Sequence, residues 1–498
     1  MTMKRHKHSL SHYNLLTGDP GKIIPASCVE VMMGDVWRGS SSAFVRVSPL
    51  VAPVMHPVHI KLSHWFVPSR ILWDGWEDFI TGGADGIGGS SGSYPTMLSG
   101  GTGFGIKSVG DYLGLKPDVP NLEVSALPFR AYALIFNEFF RDQDLEAKIG
   151  FSTASGVDST TNTAVQLAAW EKDYFTSARP SAQKGPSVTL PLGTTAPVIG
   201  APANIGPTYN RPGGANTPLS NEASTPSPTW GPGAGGTTGG LSWGNTGLVA
   251  DLTGATAATV SQLREAMALQ RYEEARSQWG SRYVEYLRYY GIRSSDARLQ
   301  RPEYLGGGKQ VISFSEVLQT AESAGERAGV GDLYGHGISS VKSRPYMRYF
   351  EEHGYVITLL VARPVAMYTD GIHRSWNRRI KEDYYTKELE LIGQQEVLRK
   401  EVFAEGGAPG DTVFGYQNRY SEYTEHPSYV SAEMRNLLDF YHMARKFVAP
   451  PALNQAFIKC DPDKRNYQVA TNDVLWIMCN HNIRARRLVQ KNPTSRIM

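Results

Sequence analysis

A chain of 498 residues with 41% hydrophobic and 10% aromatic side chains can bury a large core, which sets it apart from disordered and fibrous polymers. Its 50 basic and 47 acidic residues leave a formal charge of +3, too little for the cationic field of a dedicated nucleic-acid binder, so any polyanion contact must be local. Three cysteines, Cys28, Cys460 and Cys479, argue against a disulfide framework, and no segment has the apolar length of a membrane span or the apolar core of an export leader.

The first stretch, MTMKRHKHSLSHYN, sets Lys4, Arg5 and Lys7 among His6, His8 and His12 and reads as a basic arm over residues 1–14. Beyond it the pattern becomes strand-like in SCVEVMM, AFVRVS and HPVHIKLSHWFVP. In the last of these, Val58, Ile60 and Leu62 point one way while His59, Lys61 and Ser63 point the other, the alternation of a half-buried strand. Pro49, Pro53, Pro57 and Pro68 punctuate these runs and favour short strands with bends. Residues 81–105 are rich in glycine and serine and read as an exposed loop.

Residues 127–145, LPFRAYALIFNEFFRDQDL, change period. Phe129, Tyr132, Phe136, Phe139 and Phe140 recur at spacings of three and four, with Pro128 placed to open a helix and Arg141-Asp142-Gln143-Asp144 to close it. The spacing predicts a helix with one aromatic face, for the core or for assembly. Residues 194–247 are rich in glycine, proline and serine and read as an insertion into a fold rather than a linker. A second helix is predicted from Thr259, which with Gln262 fits a capping box, to a stop at Gly291. Its expected buried stripe is Ala266, Leu269, Tyr272, Ala275, Trp279, Tyr283, Leu287 and Tyr290. Residues 311–317 and 355–361 are β-rich, residues 374–400 are charged, and residues 474–478 read as a last buried strand. Strands at both ends of the chain, separated by long insertions, are the pattern of a Greek-key or jelly-roll barrel.

Catalytic patterns are thin. Gly306, Gly307, Gly308 and Lys309 lack the phosphate-loop spacing, and Gln310 stands where the magnesium-binding hydroxyl belongs. Gly101, Gly103 and Gly105 fail the dinucleotide spacing. His56, His59 and His64 cluster in sequence, but on one strand His59 faces away from the other two, so no metal site is assigned. Glu351, Glu352 and His353 before a glycine read as a solvated turn, and Asp461 and Asp463 lack the glycine and distal glutamate of a calcium loop. No catalytic residue and no cofactor is expected. Near the C-terminus Arg484, Arg486 and Arg487, followed by Lys491 and Arg496, form a second basic segment. Together with Lys4, Arg5 and Lys7 these arginines are either phosphate-neutralising arms or solvated termini.

The stretch LPFRAYALIFNEFFRDQDL closely resembles a block of the major capsid proteins of microviruses, the small icosahedral phages with circular single-stranded DNA, particularly their gokushovirus-like branch. GKIIPASCVEVMMGD, VSPLVAPVMHPVHIKLSHWFVPSRILWDGWEDFITGG, DYFTSARPSAQKG, QLREAMALQRYEEARSQWGSRYVEYLR, DARLQRPEYLGGGKQ and FGYQNRYSEY resemble the same family in the same order, from the N-terminus to beyond residue 430. The resemblance implies a mainly β fold, an eight-stranded viral jelly roll with long loop and helical insertions, with residues 1–498 forming a single capsid domain. It implies a homo-oligomer, the sixty copies of a T=1 icosahedral shell around a single-stranded DNA genome, and residues 194–247 as a variable surface insertion at the threefold axis. Minor capsid or DNA-pilot proteins, scaffolding proteins and a bacterial host surface receptor are the implied partners. The implied location is the virion, assembled in the cytoplasm of the bacterial host. A monomeric β-barrel adhesin or spike and a β-rich hydrolase are the alternatives from other classes.

Overall fold

The computed structural model describes residues 5–83, 92–185, 188, 260–279, 300–320, 333–407 and 409–491, with short backbone segments at 198–200, 208–210, 217–218, 242–245 and 248–250. The chain divides into two compact units, residues 1–182 with 278–498, and residues 183–277.

In the first unit, besides two small two-stranded ladders, the main strands are β1 (His6–Ser9), β2 (His12–Gly18), β3 (Ile24–Val31), β4 (Val36–Val47), β5 (Val58–Pro68), β6 (Glu303–Val311), β7 (Ser313–Leu318), β8 (Leu333–Lys342), β9 (Tyr346–Tyr349), β10 (Gly354–Pro364) and β11 (Leu475–Arg487). They form two antiparallel sheets. In the first, β11 lies between β4 on one side and β1 and β2, end to end, on the other. The far edge of β4 carries β8 and β9 end to end, and β7 pairs with β8. The second sheet runs β3-β10-β5-β6.

The alternation read in β5 has its cause between the sheets. Val58, Ile60 and Leu62 join Ile24 and Ala26 of β3, Leu360 and Ala362 of β10, Ala43, Val45 and Val47 of β4, and Leu475, Ile477 and Cys479 of β11 in one buried cluster. Each large aliphatic side chain there contributes roughly 1.5–3 kcal/mol by leaving water. The opposite face of the second sheet is covered as well, by residues between Ile71 and Ala168 of the excursion that follows β5. β10 is accordingly apolar almost throughout, with Ile357, Leu359 and Val361 facing that excursion and Leu360 and Ala362 facing the first sheet.

The aromatic stretch supplies the cover. α1 (Leu127–Ile135) continues into a π-helical turn over Phe136–Phe140, and Pro128 sits in its first turn, where a missing N–H costs nothing. Phe129, Tyr132 and Phe136 are buried against Trp65, Val67, Ile357 and Leu359. Phe140 is half-buried and Phe139 is 38% exposed, its ring centroid 4.3 Å from that of Trp65. The Tyr132 hydroxyl donates to the Ile23 carbonyl at 3.0 Å and accepts from the Gln166 N–H at 2.9 Å. At the polar end Asp142 pairs with Lys172 at 2.7 Å and Asp144 with Arg179 at 2.8 Å. Sequence periodicity missed Arg130, which lies on the buried side of this helix. Its Nε donates to Asp158 at 2.7 Å, and Nη1 and Nη2 donate to the Leu72 and Ala154 carbonyls.

The glycine run is a packing device. A Cβ on Gly307 would lie 2.2 Å from the Leu62 carbonyl oxygen, and one on Gly308 would lie 2.2 Å from that of Lys342. Only bare backbone lets β6 lie this close to its neighbours.

In the second unit the predicted helix forms as α2 (Val260–Trp279). Of its expected stripe only Ala266, Leu269, Tyr272 and Ala275 have described side chains, and none of these four is fully buried. Leu269 is exposed, Ala266, Tyr272 and Ala275 are half-buried, and Leu263 and Met267 are exposed beside them. Thr259, the side chain of Trp279, and Tyr283, Leu287, Tyr290 and Gly291 lie outside the described residues, as does most of 194–247, of which only short backbone strands are described. Among the described residues no helix is long and apolar enough to cross a membrane.

Candidate nucleic-acid interface

The last strand is longer than the buried segment expected over residues 474–478. β11 runs from Leu475 to Arg487 with strict alternation, so its odd-numbered residues enter the core while Trp476, Met478, Asn482, Arg484 and Arg486 point outward. Both basic segments of the sequence meet along it. Lys7 of β1 stands opposite Arg486, and Ser9 opposite Arg484. On the other side Arg484 faces Arg38 of β4, a residue that sequence reasoning did not select. Lys7, Arg38, Arg484 and Arg486 are all exposed, and among the described residues none has a carboxylate within ion-pair distance. The outward positions of β7, β8 and β9 on this face are Ser313, Ser315, Val317, Tyr334, His336, Ile338, Ser340, Lys342, Met347 and Tyr349, none of them acidic. The result is one end of a sheet face on which four cations stand in adjacent rows, about 5 Å apart between strands.

The other predicted contacts are differently placed. Arg487 has the opposite parity to Arg486 and turns inward: its Nε is 3.0 Å from the Asp35 carboxylate, a second nitrogen donates to the Glu30 carbonyl at 2.6 Å, and the guanidinium lies 5.5 Å from the Trp37 ring centroid. Its charge is spent inside the protein. Arg5 donates from Nε to the Gly34 carbonyl at 2.7 Å and rests 5.4 Å from the Tyr349 ring centroid. Lys4 lies outside the described residues. Of the described part of the basic arm, residues 5–14, residues 6–9 and 12–14 are strand, hydrogen-bonded to β11.

The histidines noted in the sequence are structural. His56 Nε2 is 2.8 Å from the Val365 carbonyl oxygen, His59 Nδ1 is 3.3 Å from Glu171, and His64 Nδ1 is 2.9 Å from the Thr358 hydroxyl. Among the described residues no three His, Cys, Asp or Glu side chains could together hold a metal ion. Buried acids do converge at one place, Glu401 and Glu422, which lie 3.0 and 3.7 Å from Arg374, with Arg378 3.3 Å from Glu422. Burial raises the Glu401 carboxyl and Arg374 opposes the shift. Each acid is engaged by a guanidinium, the arrangement of a structural ion network.

Comparison with known proteins decides between these readings. The sequence model of the family described as "Capsid protein (F protein)" matches residues 1–495. The chain belongs to this capsid protein family. It is 36% identical over 479 residues to capsid protein VP1 of Bdellovibrio phage phiMH2K, covering 91% of this chain and 87% of the relative. It is 32% identical to capsid protein VP1 of Chlamydia phage 1, over 92% of this chain and 89% of the relative. Capsid protein VP1 of Spiroplasma virus 4 is 30% identical, with 92% and 88% covered. Among the described residues Lys7, Arg38, Arg484 and Arg486 stand at one end of the sheet face without an ion-pair partner.

Proposed function

We propose that the chain is the major capsid protein of a microvirus, that sixty copies build a T=1 icosahedral shell, and that the shell encloses a circular single-stranded DNA genome. The observation that carries this reading is the family match across residues 1–495, with capsid relatives at 30–36% identity over about nine-tenths of the chain. The strand order supports an eight-stranded jelly roll. β2 pairs with β11, β3 with β10, β4 with β8 and β5 with β6, first with last and inward, as when one long hairpin is rolled into two facing sheets. In this reading residues 1–498 are one capsid domain, and residues 194–247 are a surface insertion at the threefold axis.

The protein works by assembly and carries out no reaction, in the virion and, before that, in the host cytoplasm. Minor capsid, DNA-pilot and scaffolding proteins and a host surface receptor are its partners, and the face bearing Lys7, Arg38, Arg484 and Arg486 is turned to the genome. Electron microscopy of purified material, with the ratio of absorbance at 260 and 280 nm, tests this. Uniform icosahedral particles rich in nucleic acid are expected. A chain that stays monomeric when produced with the phage's other structural proteins overturns the reading in favour of an adhesin.

A further inference from the structure

The cationic rows occupy one end of the outward face of β11, and the other end is different in kind. Register places Thr17, Trp476, Arg46 and Ile338 in one row, Leu15, Met478, Phe44 and Ser340 in the next, and Tyr13, Asn480, Ser42 and Lys342 in a third. Tyr13 and Leu15 are 71% and 77% exposed, and Trp476 and Met478 are close to half exposed. A monomer rarely leaves so many large apolar side chains together in water without a use for them. Leu15, Trp476 and Met478 line a cavity of about 580 Å3, within the range of small-ligand sites, together with Phe44, Arg46 and Lys107, and Tyr13 stands in the row beyond it on the same face.

The charges in this cavity sort possible occupants. Arg46 lies 5.7 Å from the Phe44 ring centroid and has no ion-pair partner among the described residues. Lys107 is 2.9 Å from Asp473, so its charge is already neutralised. Asp111, the carboxylate in the lining, accepts from the Lys107 N–H at 2.8 Å. A carboxylate repels a phosphate but accepts a hydrogen bond from a base N–H, such as the ring N3–H of thymine. The cavity therefore suits flat, weakly polar rings and the far end of the face suits phosphates. From Trp476 to Arg484 the strand covers roughly 26 Å at about 3.3 Å per residue, a few nucleotides of extended single strand.

We propose that this face is one continuous single-strand nucleic-acid site, in which unstacked bases enter the Trp476 cavity and stack on its rings while the neighbouring phosphates lie on Arg38, Arg484 and Arg486. The proposal rests on the capsid reading and deepens it, since it replaces purely electrostatic packaging with base stacking at a defined place. Duplex fits poorly because its bases are already stacked.

The test uses the full-length chain, a labelled oligothymidine and an abasic deoxyribose-phosphate strand of equal length, with fluorescence anisotropy followed across a salt series. Oligothymidine should bind at least tenfold tighter than the abasic strand. Trp476→Ala should weaken oligothymidine about 5- to 150-fold and leave the abasic strand and the salt slope unchanged, whereas Trp476→Phe restores most of the affinity. Tyr13→Ala, on an edge strand, gives a second reading should Trp476→Ala fold poorly. Arg484→Ala with Arg486→Ala should weaken both strands and flatten the salt slope, each lost phosphate contact removing about 0.7 from it.

Equal binding of the two strands, or wild-type oligothymidine binding by both aromatic variants, overturns the stacking site while the capsid reading stands. Aromatic variants that stop particle formation without touching DNA binding would instead make this face a contact between copies. Failure of the capsid reading shows separately, as an absence of particles.

Discussion

The imidazole rings of His12 and His481 stack across the β2–β11 pairing with centroids 4.8 Å apart and planes 27° from parallel. His481 is fully buried, its Nδ1 2.7 Å from the Ser41 hydroxyl. Burial, then the neighbouring charge of His12, pushes it down to about 4, against the pull of the Ala26 carbonyl. Burial, then His481, pushes His64 down to about 4 as well. A folded value below the ordinary 6.5 means that the unfolded chain takes up protons first. Stability is therefore complete above about pH 6.5 and is lost as pH falls toward 4, by about 3 kcal/mol for each such histidine at pH 4. Urea unfolding midpoints between pH 7.5 and 4.5 should fall accordingly, and His481→Asn should reduce the drop. A midpoint independent of pH would refute the assignment of neutral buried rings.

Arg130 and Asp158 form an ion pair with both side chains almost wholly removed from solvent. Burial raises the Asp158 carboxyl, but the Thr161 hydroxyl and N–H, Arg130 and the Thr160 N–H outweigh it and bring it to about 2. Asp158→Ala leaves a buried guanidinium without its counter-charge and should cost about 3–5 kcal/mol, more than Arg130→Met with Asp158→Asn together. Denaturant unfolding of the single and double variants measures this. A double variant as unstable as the single one would show that the charges themselves are not the issue.

Phe136→Ala should cost about 3–5 kcal/mol, since the ring is fully buried in the cluster over the second sheet. Phe139→Ala, three residues on and 38% exposed, should cost well under half as much. Thermal unfolding of both variants checks the order, and equal losses would mean that Phe139 is covered in the state measured.

Arg486 and Arg487 are neighbours in sequence with opposite duties. Arg487→Ala strips Asp35 of its counter-charge and should lower stability by about 3 kcal/mol without changing the salt dependence of DNA binding. Arg486→Ala should leave stability within about 0.5 kcal/mol and flatten the salt dependence. A pair of variants with the same phenotype would contradict the assignment of opposite faces.

Gly308→Ala should destabilise by about 1–3 kcal/mol, because a Cβ there meets backbone at 2.2 Å and backbone cannot rotate away. Gly105→Ala, where a Cβ meets nothing within 4 Å, is the matched control. Comparable melting of the two would refute the packing role of the glycine run.

What could be read from the sequence depended on whether one face of an element met a uniform environment. β5 was legible over residues 58–62, where Val58, Ile60 and Leu62 are buried and His59 and Lys61 are not, and α1 was legible because burial of one side enforces period 3.6 on the residues themselves; beyond Leu62 β5 is buried on both faces and the alternation ends. β1 and β2 were not, since HKHS and HYNLLTG alternate between half-buried and exposed positions and carry no apolar signature. The α2 stripe has the right period, yet among its described members Leu269 is exposed and Ala266, Tyr272 and Ala275 are only half-buried, because periodicity reports that a face wants a partner and not where that partner is. The basic segments were visible as runs of charge. Their division into a display of Lys7, Arg484 and Arg486 and an internal tie at Arg487 was not, and neither was Arg38, which joins them only through the register of β4 with β11.

β11 also sets the order in which a newly made subunit can become competent. It is the latest of the described strands to leave the ribosome, yet it lies inside its sheet, with β1 and β2 on one flank and β4 on the other. Until it arrives, the N-terminal strands have no partner and the cationic rows do not exist, because two of their members, Arg484 and Arg486, are carried by the missing strand. A chain that stops short of β11 thus cannot present the finished face, because the strand that orders both flanks also carries two of its cations.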